Sequence, residues 1–306
     1  GWFPYSKPDV VKKARETCST QCVFTDDRSL TPVANGVLFH APTHERDFPV
    51  TKPHGSKYVF LNLEPITMPR VNALLENDEY MARFDLTMTY ESDSDVPLGY
   101  VGRSLTRYFA SRKASMEEKD GLGNPDAIAM FVSDCDPMAK RRTEYIEELM
   151  KYAPVHSYGT CLNNRCEPDL VPGGATANKW GNKGEIIYRY KFYLAFENTN
   201  RLRDFVTEKV YNGLQAGTLP VYWGAENVDE FVPRGSIVKA ADFKSPKALA
   251  RHLLMLSEDD EAYEEYFKWR NDPVEEARFR DEVVWRSAFA VNAMCRLCER
   301  TLEQDL

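Results

Sequence analysis

The sequence predicts an α/β protein that is built on a parallel, Rossmann-like sheet and divided into two domains. The chain has 306 residues, which is longer than most chains that fold around a single hydrophobic core. From residue 127 onward, short apolar runs alternate with segments of helical period, which is typical of parallel strands joined by helices. Apolar residues make up 43% of the chain, the ordinary share for a globular protein.

Apolar periodicity and capping residues predict the individual elements. In the segment 206–216, Val206, Val210 and Leu214 recur every four residues and Gly217 follows, which predicts a helix with a glycine C-cap. Predicted strands occupy residues 57–63, 84–90, 127–132, 192–196, 219–223 and 237–240. The other predicted helices occupy residues 249–256, 262–269 and 277–302.

One further helix is predicted after Asp136-Pro137, which offers an N-cap and a proline for the first turn. Tyr145, Leu149 and Tyr152 would share one face of this helix.

Two segments lack apolar periodicity. The charged segment 112–126 contains glycine and proline, and it is predicted to link the two domains. The segment 165–184 contains four glycines, two prolines and two asparagines. A segment of this length is predicted to be a lid or binding loop, with a disordered excursion as the alternative.

Charge and hydropathy exclude some classes of function. The net charge of −8 argues against a nucleic-acid partner, because nucleic-acid-binding domains carry basic surfaces. No run of 18 apolar residues occurs, so no segment is predicted to cross a membrane. The chain begins with Gly1, and we expect it to be a domain excised from a longer protein.

The seven cysteines include two close pairs, Cys18 with Cys22 and Cys295 with Cys298. Four thiolates could bind zinc, but a zinc site usually lies within one short module. The pairs stand at opposite ends of the chain, which favours disulfides. The remaining cysteines are scattered: Cys135, Cys161 and Cys166.

The segment 190–224 is the most informative for function. A predicted strand ends at Glu197-Asn198, and the next helix opens near Lys209. Ligands of parallel sheets bind beyond the carboxyl ends of the strands, and helix N-termini attract phosphate. Lys209 would add a cation there, and Glu208 would accept hydrogen bonds from ribose hydroxyls. The alternative is a solvated first turn, in which the helix dipole favours glutamate.

This segment resembles the donor-binding signature of the α1,3-fucosyltransferases. That signature runs Lys-Phe-x-Leu-x-Phe-Glu-Asn, then Asp-(Tyr/Phe)-(Ile/Val)-Thr-Glu-Lys, then Ala-Gly-x-(Leu/Val)-Pro-Val. The likeness extends over most of the chain and includes Asn62-Leu63-Glu64, residues 92–100 and residues 132–141. Residues 157–161 and 295–298 look most like the plant-type enzymes that fucosylate the N-glycan core.

The resemblance implies a GT-B fold, in which two Rossmann-like domains face a cleft. It implies an acceptor-binding domain over residues 1–120, a GDP-fucose-binding domain over residues 121–280 and a C-terminal helix, 281–306, that returns to the first domain. It also implies an inverting single displacement on GDP-β-L-fucose.

Individual residues take roles from this resemblance. Glu64 follows the strand 57–63 and matches the base that accepts the proton of the attacking hydroxyl, with a turn carboxylate as the alternative. Lys209 and Arg141 match cations that face the diphosphate. Asp134 stands where the family usually has asparagine, and an ionised carboxylate would repel phosphate. The positions matched to the donor site besides these cations are Ser133, Asp134, Tyr193, Glu197, Asn198 and Glu208.

Family members tie their C-terminal cysteine pair to cysteines near the start of the domain. Such bridges restrict the unfolded chain strongly, because they span most of it. The resemblance implies the bridges Cys18–Cys295 and Cys22–Cys298. Cys135 can pair with Cys161, and Cys161–Cys166 is the local alternative.

No metal or cofactor is expected to be required. Asp93 and Asp95 form an Asp-x-Asp pair, which binds manganese in another glycosyltransferase fold, but the family resembled here holds its diphosphate with cationic side chains. Manganese would act at most as a non-essential stimulant. The expected partners are GDP-fucose and an N-glycan or glycoprotein acceptor.

The resemblance implies a Golgi-lumenal, type II membrane protein that contacts the membrane only through an N-terminal anchor. The plant-type motifs imply transfer to O3 of a GlcNAc, namely the innermost GlcNAc of N-glycans. The alternatives are a Lewis-type enzyme, a protein O-fucosyltransferase, and a non-catalytic module that binds GDP-fucose or glycans.

Overall fold

The structure is a computed structural model that describes residues 18–20, 22–44, 48–49, 51–101, 106–110, 113, 115–122, 126–135, 140–165, 183–199, 202–284 and 291–303. The chain forms two compact units. The first unit combines residues 1–103 with residues 281–306, and the second spans residues 104–280. No helix within the described ranges is long and apolar enough to cross a membrane.

Strands and helices alternate in both units. The strands are β1 Gly36–His40, β2 Lys57–Asn62, β3 Leu86–Thr89, β4 Ile128–Met130, β5 Val155–Ser157, β6 Phe192–Phe196, β7 Leu219–Trp223 and β8 Val238–Lys239. The α-helices are α1 Pro69–Leu75, α2 Asp78–Met81, α3 Thr106–Phe109, α4 Met116–Gly121, α5 Lys140–Leu149, α6 Lys183–Tyr188, α7 Glu208–Ala216, α8 Pro246–Ser257, α9 Asp260–Glu265, α10 Pro273–Arg278 and α11 Val291–Leu302.

The first unit contains a parallel sheet in the order β1-β2-β3. The central strand, β2, is buried along almost its whole length because both of its neighbours and the packed aromatic side chains cover it. A small core of Phe60, Leu74 and Tyr80 joins this strand to α1 and α2. The carboxyl end of β2 leads directly to Glu64.

The last helix, α11, belongs to the first unit. Its buried face contains Ala293, Met294, Leu297 and Cys298. Two disulfides fix this helix to the start of the chain, Cys18–Cys295 and Cys22–Cys298, with Cα atoms 5.1 and 5.9 Å apart. These bridges and the return of the helix to the first unit are confirmed.

The predicted helix 277–302 is not one continuous element. The helix α10 begins earlier, because the Asp272 side chain accepts hydrogen bonds from the backbone N–H groups of Val274 and Glu275. A π-helical turn, Phe279–Val284, follows, and α11 is described over Val291–Leu302. The boundary between the two units falls within this stretch, after Arg280.

The second unit contains a parallel sheet in the order β5-β4-β6-β7-β8. The strands β6 and β7 are buried throughout, which explains their uniformly apolar sequences. The chain crosses from β4 to β5 at one side, and then from β6 through β7 to β8 at the other. This doubly wound, Rossmann-like topology confirms the predicted fold class of the unit.

The helix α7 begins two residues later than the periodicity predicts. Thr207 is extended and acts as the N-cap, because its N–H and its hydroxyl donate to the Glu197 side chain instead of entering the helix. At the other end Gly217 has φ 67°, the left-handed conformation that glycine adopts without strain, so the predicted C-cap is confirmed.

The predicted linker 112–126 contains a helix and lies inside the second unit. Ser115 caps α4 by accepting a hydrogen bond from Glu118 N. Met116 and Lys119 are buried, and the Lys119 ammonium donates to two backbone carbonyls and to a threonine hydroxyl. Apolar periodicity does not reveal this helix, because one of its two buried positions is a lysine, Lys119.

Candidate functional site

The two polar loops predicted to bind a donor leave the sheet side by side. β4 and β6 are parallel neighbours, with Met130 opposite Leu194. The loop after β4 carries Ser133 and Asp134, and the loop after β6 carries Glu197 and Asn198. From here the chain crosses to β5 at one side and to β7 at the other, so this edge is the switch point at which open α/β sheets bind ligands.

A buried guanidinium joins these loops. Arg142, in α5, is 1% exposed. Its Nη1 donates to Asn198 Oδ1 and, at 3.4 Å, to the carbonyl of Phe196, while its Nη2 donates to the carbonyl of Asp134 at 2.6 Å. Burial lowers the pKa of Arg142, whereas the carboxylates of Asp134 and Glu197 oppose that shift. The side chain therefore fixes the two loops to each other and puts a cation between them.

Arg141 lies elsewhere on α5. Successive residues of an α-helix point about 100° apart, so only one of the two arginines can face the sheet. Arg142 shares the inward face with Ile146 and Leu149, and Arg141 is exposed. The structure thus brings Arg142, and not Arg141, to the predicted donor-site residues.

Neighbouring side chains stabilise the negative charge of Asp134 in the loop after β4. The Nδ2 group of Asn198 donates to Asp134 Oδ2 at 3.0 Å, and Asn198 Oδ1 in turn accepts from Arg142. The cation and the amide offset the negative charge of the exposed Asp134. Ser133 is also exposed at this edge.

The loop after β5 is held against the loop after β4. Cys135 and Cys161 form a disulfide, so the local alternative Cys161–Cys166 is excluded; Cys166 lies outside the described residues. The two loops can lie this close only because residue 159 is a glycine. A Cβ atom there would lie 2.0 Å from the carbonyl oxygen of Val132, in the loop after β4.

Glu197 is a completely buried carboxylate with an ordered set of partners. Its Oε1 accepts from Thr207 N at 2.7 Å, and its Oε2 accepts from the Thr207 hydroxyl at 2.7 Å and from Lys209 Nζ at 3.0 Å. Desolvation raises the pKa of Glu197, while Lys209 and the Thr207 hydrogen bonds oppose the shift. Glu197 is therefore occupied in positioning Lys209 at the start of α7.

Lys209 keeps one donor beyond these contacts. Its ammonium donates to the Thr207 hydroxyl at 2.8 Å and lies against Glu197, which uses two of its three N–H groups. Desolvation lowers the pKa of Lys209, but Glu197 and Glu208 outweigh it and raise the pKa. The group stays charged, and the Glu208 carboxylate at the start of α7 lies 3.7 Å from it.

Two further predicted residues lie around this cluster. Glu208 is the first residue of α7 and is 50% exposed; desolvation raises its pKa, but Lys209 and Lys183 together lower it. Tyr193 lies fully buried between the sheet and α7, where it packs against Gly213. Tyr193 thus supports the helix from beneath.

Glu64 lies in the first unit, at the carboxyl end of β2. Its backbone is fixed by the buried amide of Asn62, whose Oδ1 accepts from Glu64 N at 3.1 Å and whose Nδ2 donates to Glu64 O at 2.8 Å. The Tyr100 hydroxyl also donates to the carbonyl of Leu63. These contacts hold the turn that carries the Glu64 carboxylate.

The Asp-x-Asp pair has a structural use. Asp95 Oδ2 accepts from the backbone N–H and the hydroxyl of Thr87, both at 2.8 Å, and so fixes the following turn alongside β3. Asp93 is exposed in the same turn. Within the described ranges, no three histidine, cysteine or acidic side chains come together in an arrangement suited to a metal ion.

Four residues that lie beside the predicted site residues were missed by the sequence interpretation, namely Asn62, Arg142, Lys183 and Thr207. The spacing of Arg142 with Ile146 and Leu149 was a signal for its inward direction. Lys183, the first residue of α6, is buried near Glu208 and Lys209. No periodic pattern marks Lys183, because this residue stands at the end of the long polar segment 165–184.

Profiles of known families match nearly the whole chain. The profile described as "Glycosyltransferase family 10 (fucosyltransferase) C-term" matches residues 123–306, and "Fucosyltransferase, N-terminal" matches residues 2–101. The chain is 34% identical to glycoprotein 3-alpha-L-fucosyltransferase A of Drosophila melanogaster, over 88% of this chain and 50% of the relative. It is 32% identical to GDP-fucose protein O-fucosyltransferase 3 of Xenopus laevis, over 83% of this chain and 54% of the relative.

The chain thus spans about half the length of these curated relatives. A crystal structure of an alpha1,3-fucosyltransferase with GDP has the same fold, with a TM-score of 0.51 at 19% identity, over 82% of this chain and 76% of that one. The chain belongs to glycosyltransferase family 10, the fucosyltransferases.

Proposed function

We propose that this protein transfers L-fucose from GDP-β-L-fucose to a sugar hydroxyl with inversion at the fucose C1. The observation that carries the proposal is the set of charged groups at the β4–β6 switch point, where Arg142 and the Glu197–Lys209 pair meet the start of α7. Membership of the fucosyltransferase family and the GDP bound to a protein of the same fold support this proposal.

The donor diphosphate would bind at that switch point. The leaving GDP gains negative charge as the glycosidic bond breaks, so fixed cations and amides there lower the barrier. Lys209 offers its remaining N–H, and α7 adds the partial positive charge of its N-terminus. Arg142 adds a guanidinium whose field is little screened, because the side chain is buried.

Glu64 would act as the general base. Its carboxylate accepts the proton of the attacking hydroxyl, whose oxygen forms the new bond to C1 of fucose while the bond from C1 to the GDP oxygen breaks. The electron pair of that bond leaves with GDP. The clamp formed by Asn62 supports this role, because a base must be held in a defined direction to be efficient.

The acceptor proposed here is O3 of the innermost GlcNAc of N-glycans. The plant-type motifs at residues 157–161 and 295–298 favour it, and so does the likeness to an enzyme named for glycoprotein acceptors. Protein O-fucosylation is the second candidate, because the chain is 32% identical to an enzyme of that name. Glu91-Ser92, where many Lewis-type members have paired arginines, weakens the case for outer GlcNAc.

The proposed location is the Golgi lumen, with a type II membrane anchor in the full-length protein. Three disulfides support an oxidising compartment. No metal is proposed as a required cofactor, and manganese would at most stimulate the reaction.

An acceptor panel tests this function. The protein is incubated with GDP-fucose and a core N-glycopeptide, N-acetyllactosamine or a folded protein module, and both GDP release and the product linkage are measured. We expect α1,3-fucosylated core glycopeptide from the unaltered protein, and transfer slowed by about 10²- to 10⁴-fold in Glu64→Gln. Transfer only to the protein module would support the second candidate, and GDP binding without any transfer would favour a non-catalytic module.

A further inference from the structure

Lys183 is a buried lysine beside the donor-site cluster. Only 8% of the accessible surface of Lys183 is exposed to solvent. Its Nζ lies 5.5 Å from the ring centroid of Phe131, just after β4, and 5.8 Å from that of Tyr193, in β6. Because β4 and β6 are neighbours, this ammonium stands at the same switch point as the two polar loops.

The described residues give Lys183 no hydrogen-bonding or ion-pair partner. The other two buried lysines differ sharply. Lys119 donates to the carbonyls of Tyr188 and Tyr190 and to Thr218 Oγ1, all within 3.2 Å. Lys191 donates to the carbonyl of Ser257 at 2.8 Å and pairs with Asp120 at 2.6 Å. An ammonium without such partners is costly to bury, so an anion that reaches it from outside would stabilise it.

The surrounding charges support the same conclusion. Glu208 and Glu197 attract Lys183 and Lys209 repels it, but Glu197 is already engaged by Lys209 at 3.0 Å. Desolvation is the largest influence, and it lowers the pKa of Lys183 to about 8. The carboxylates nearby therefore do not repay the burial of this charge.

We propose that Lys183 is a further cation of the donor subsite, which binds the phosphate oxygens of the nucleoside diphosphate directly. The inference rests on the proposed function, since it takes GDP as the ligand. It assigns the first residue of α6 to the same anion as Lys209, the second residue of α7. The alternative role is a purely structural contact with the rings of Phe131 and Tyr193.

Calorimetric titration with GDP tests the proposal on the unaltered protein, Lys183→Met, Lys183→Arg and a control, Lys151→Met, which removes a surface cation paired with Glu148. We expect Lys183→Met to weaken GDP binding by about 10- to 100-fold, the usual effect of losing a charge-assisted hydrogen bond. Lys183→Arg should bind within a few-fold of the unaltered protein, and Lys151→Met should not change.

Proton linkage separates ligand binding from a structural role. At about pH 8 Lys183 is partly neutral before binding, whereas phosphate, with a second pKa of about 6, is already ionised. Titrations in two buffers of different ionisation enthalpy should show proton uptake on GDP binding, absent from both Lys183 variants.

Unchanged GDP affinity in Lys183→Met would overturn the inference, and so would lost affinity with the proton uptake retained. If the unaltered protein fails to bind GDP, the proposed function falls with it. Binding by the unaltered protein and by Lys183→Met alike would remove only the role of Lys183.

Discussion

The carboxylate of Glu197 lies 3.0 Å from the ammonium of Lys209, and no part of the Glu197 side chain reaches solvent. A buried pair of this kind contributes little net stability, but the removal of one partner leaves the other charge uncompensated. The pair therefore explains why Lys209 can stay charged at the start of α7, where an anionic ligand would benefit from it.

Glu197→Gln should destabilise the protein by about 3 kcal/mol, because Lys209 remains buried without its counterion. Urea denaturation of Glu197→Gln, Lys209→Met and the double variant measures the coupling between the two residues. We expect the double variant to be more stable than the sum of the two losses predicts. Strictly additive losses would mean that the two charges do not interact.

Arg142 and Arg141 should differ in their effect on donor binding. Arg142→Lys retains a cation but cannot bridge Asn198 and Asp134 together, so GDP affinity should fall by about tenfold. Arg141→Lys and Arg141→Ala, on the exposed side of the same helix, should leave it within about twofold. Calorimetry with GDP checks this contrast, and the reverse order would restore Arg141 to the site.

Glu64→Gln should bind GDP normally and lose about 10²- to 10⁴-fold in transfer rate, because the amide cannot accept the proton. Equilibrium binding and initial rates of fucose transfer provide the two measurements. Turnover near that of the unaltered protein would remove Glu64 from the mechanism.

Asn62→Ala should lower the transfer rate without altering GDP affinity. The substitution removes both hydrogen bonds that hold the Glu64 backbone, and small misplacements of a catalytic group cost about 10- to 100-fold. We would measure both kcat/KM for the donor and the melting temperature of the variant. Together they separate a misplaced Glu64 from general unfolding. A lost rate that follows only from lost stability would contradict the positioning role.

Lys183→Met should stabilise the unliganded protein at about pH 7. The fall of the Lys183 pKa from 10.5 to about 8 corresponds to about 3 kcal/mol of folding free energy. Between these pH values the unfolded chain binds more protons, so the stability of the unaltered protein rises with pH. The advantage of the variant should be largest below pH 8 and disappear above about pH 10.5. Equal stabilities at about pH 7 would show that the ammonium is not penalised.

Most of the second sheet could be predicted from the sequence because its strands are buried on both faces. β6 and β7 contain five consecutive apolar residues or proline each, and their observed bounds equal the predicted ones. β1 was missed, since only Phe39 of its five residues is buried and no apolar run distinguishes it. A continuous apolar run marks a strand only where burial is nearly complete.

The candidate site was harder to predict because its side chains act through neighbours from distant parts of the chain. Tyr145, Leu149 and Tyr152 were predicted to share one face of the helix, yet Tyr152 is 39% exposed and the buried residues of α5 are Arg142, Ile146 and Leu149. A polar residue on the core side of a helix contradicts the hydrophobic pattern. Its direction follows from Asn198 and Asp134, which no local pattern connects to it.

The disulfides Cys18–Cys295 and Cys22–Cys298 can form only late in synthesis, because each joins the start of the chain to its end. The first unit is assembled from both ends of the chain, whereas the second is continuous from residue 104 to 280. The whole second unit is synthesised before the last two cysteines of the first. The second unit can therefore begin to fold during translation. Until Cys295 and Cys298 have been synthesised, Cys18 and Cys22 remain without their disulfide partners. In the oxidising compartment where we expect this protein, these thiols would need protection from premature pairing with each other.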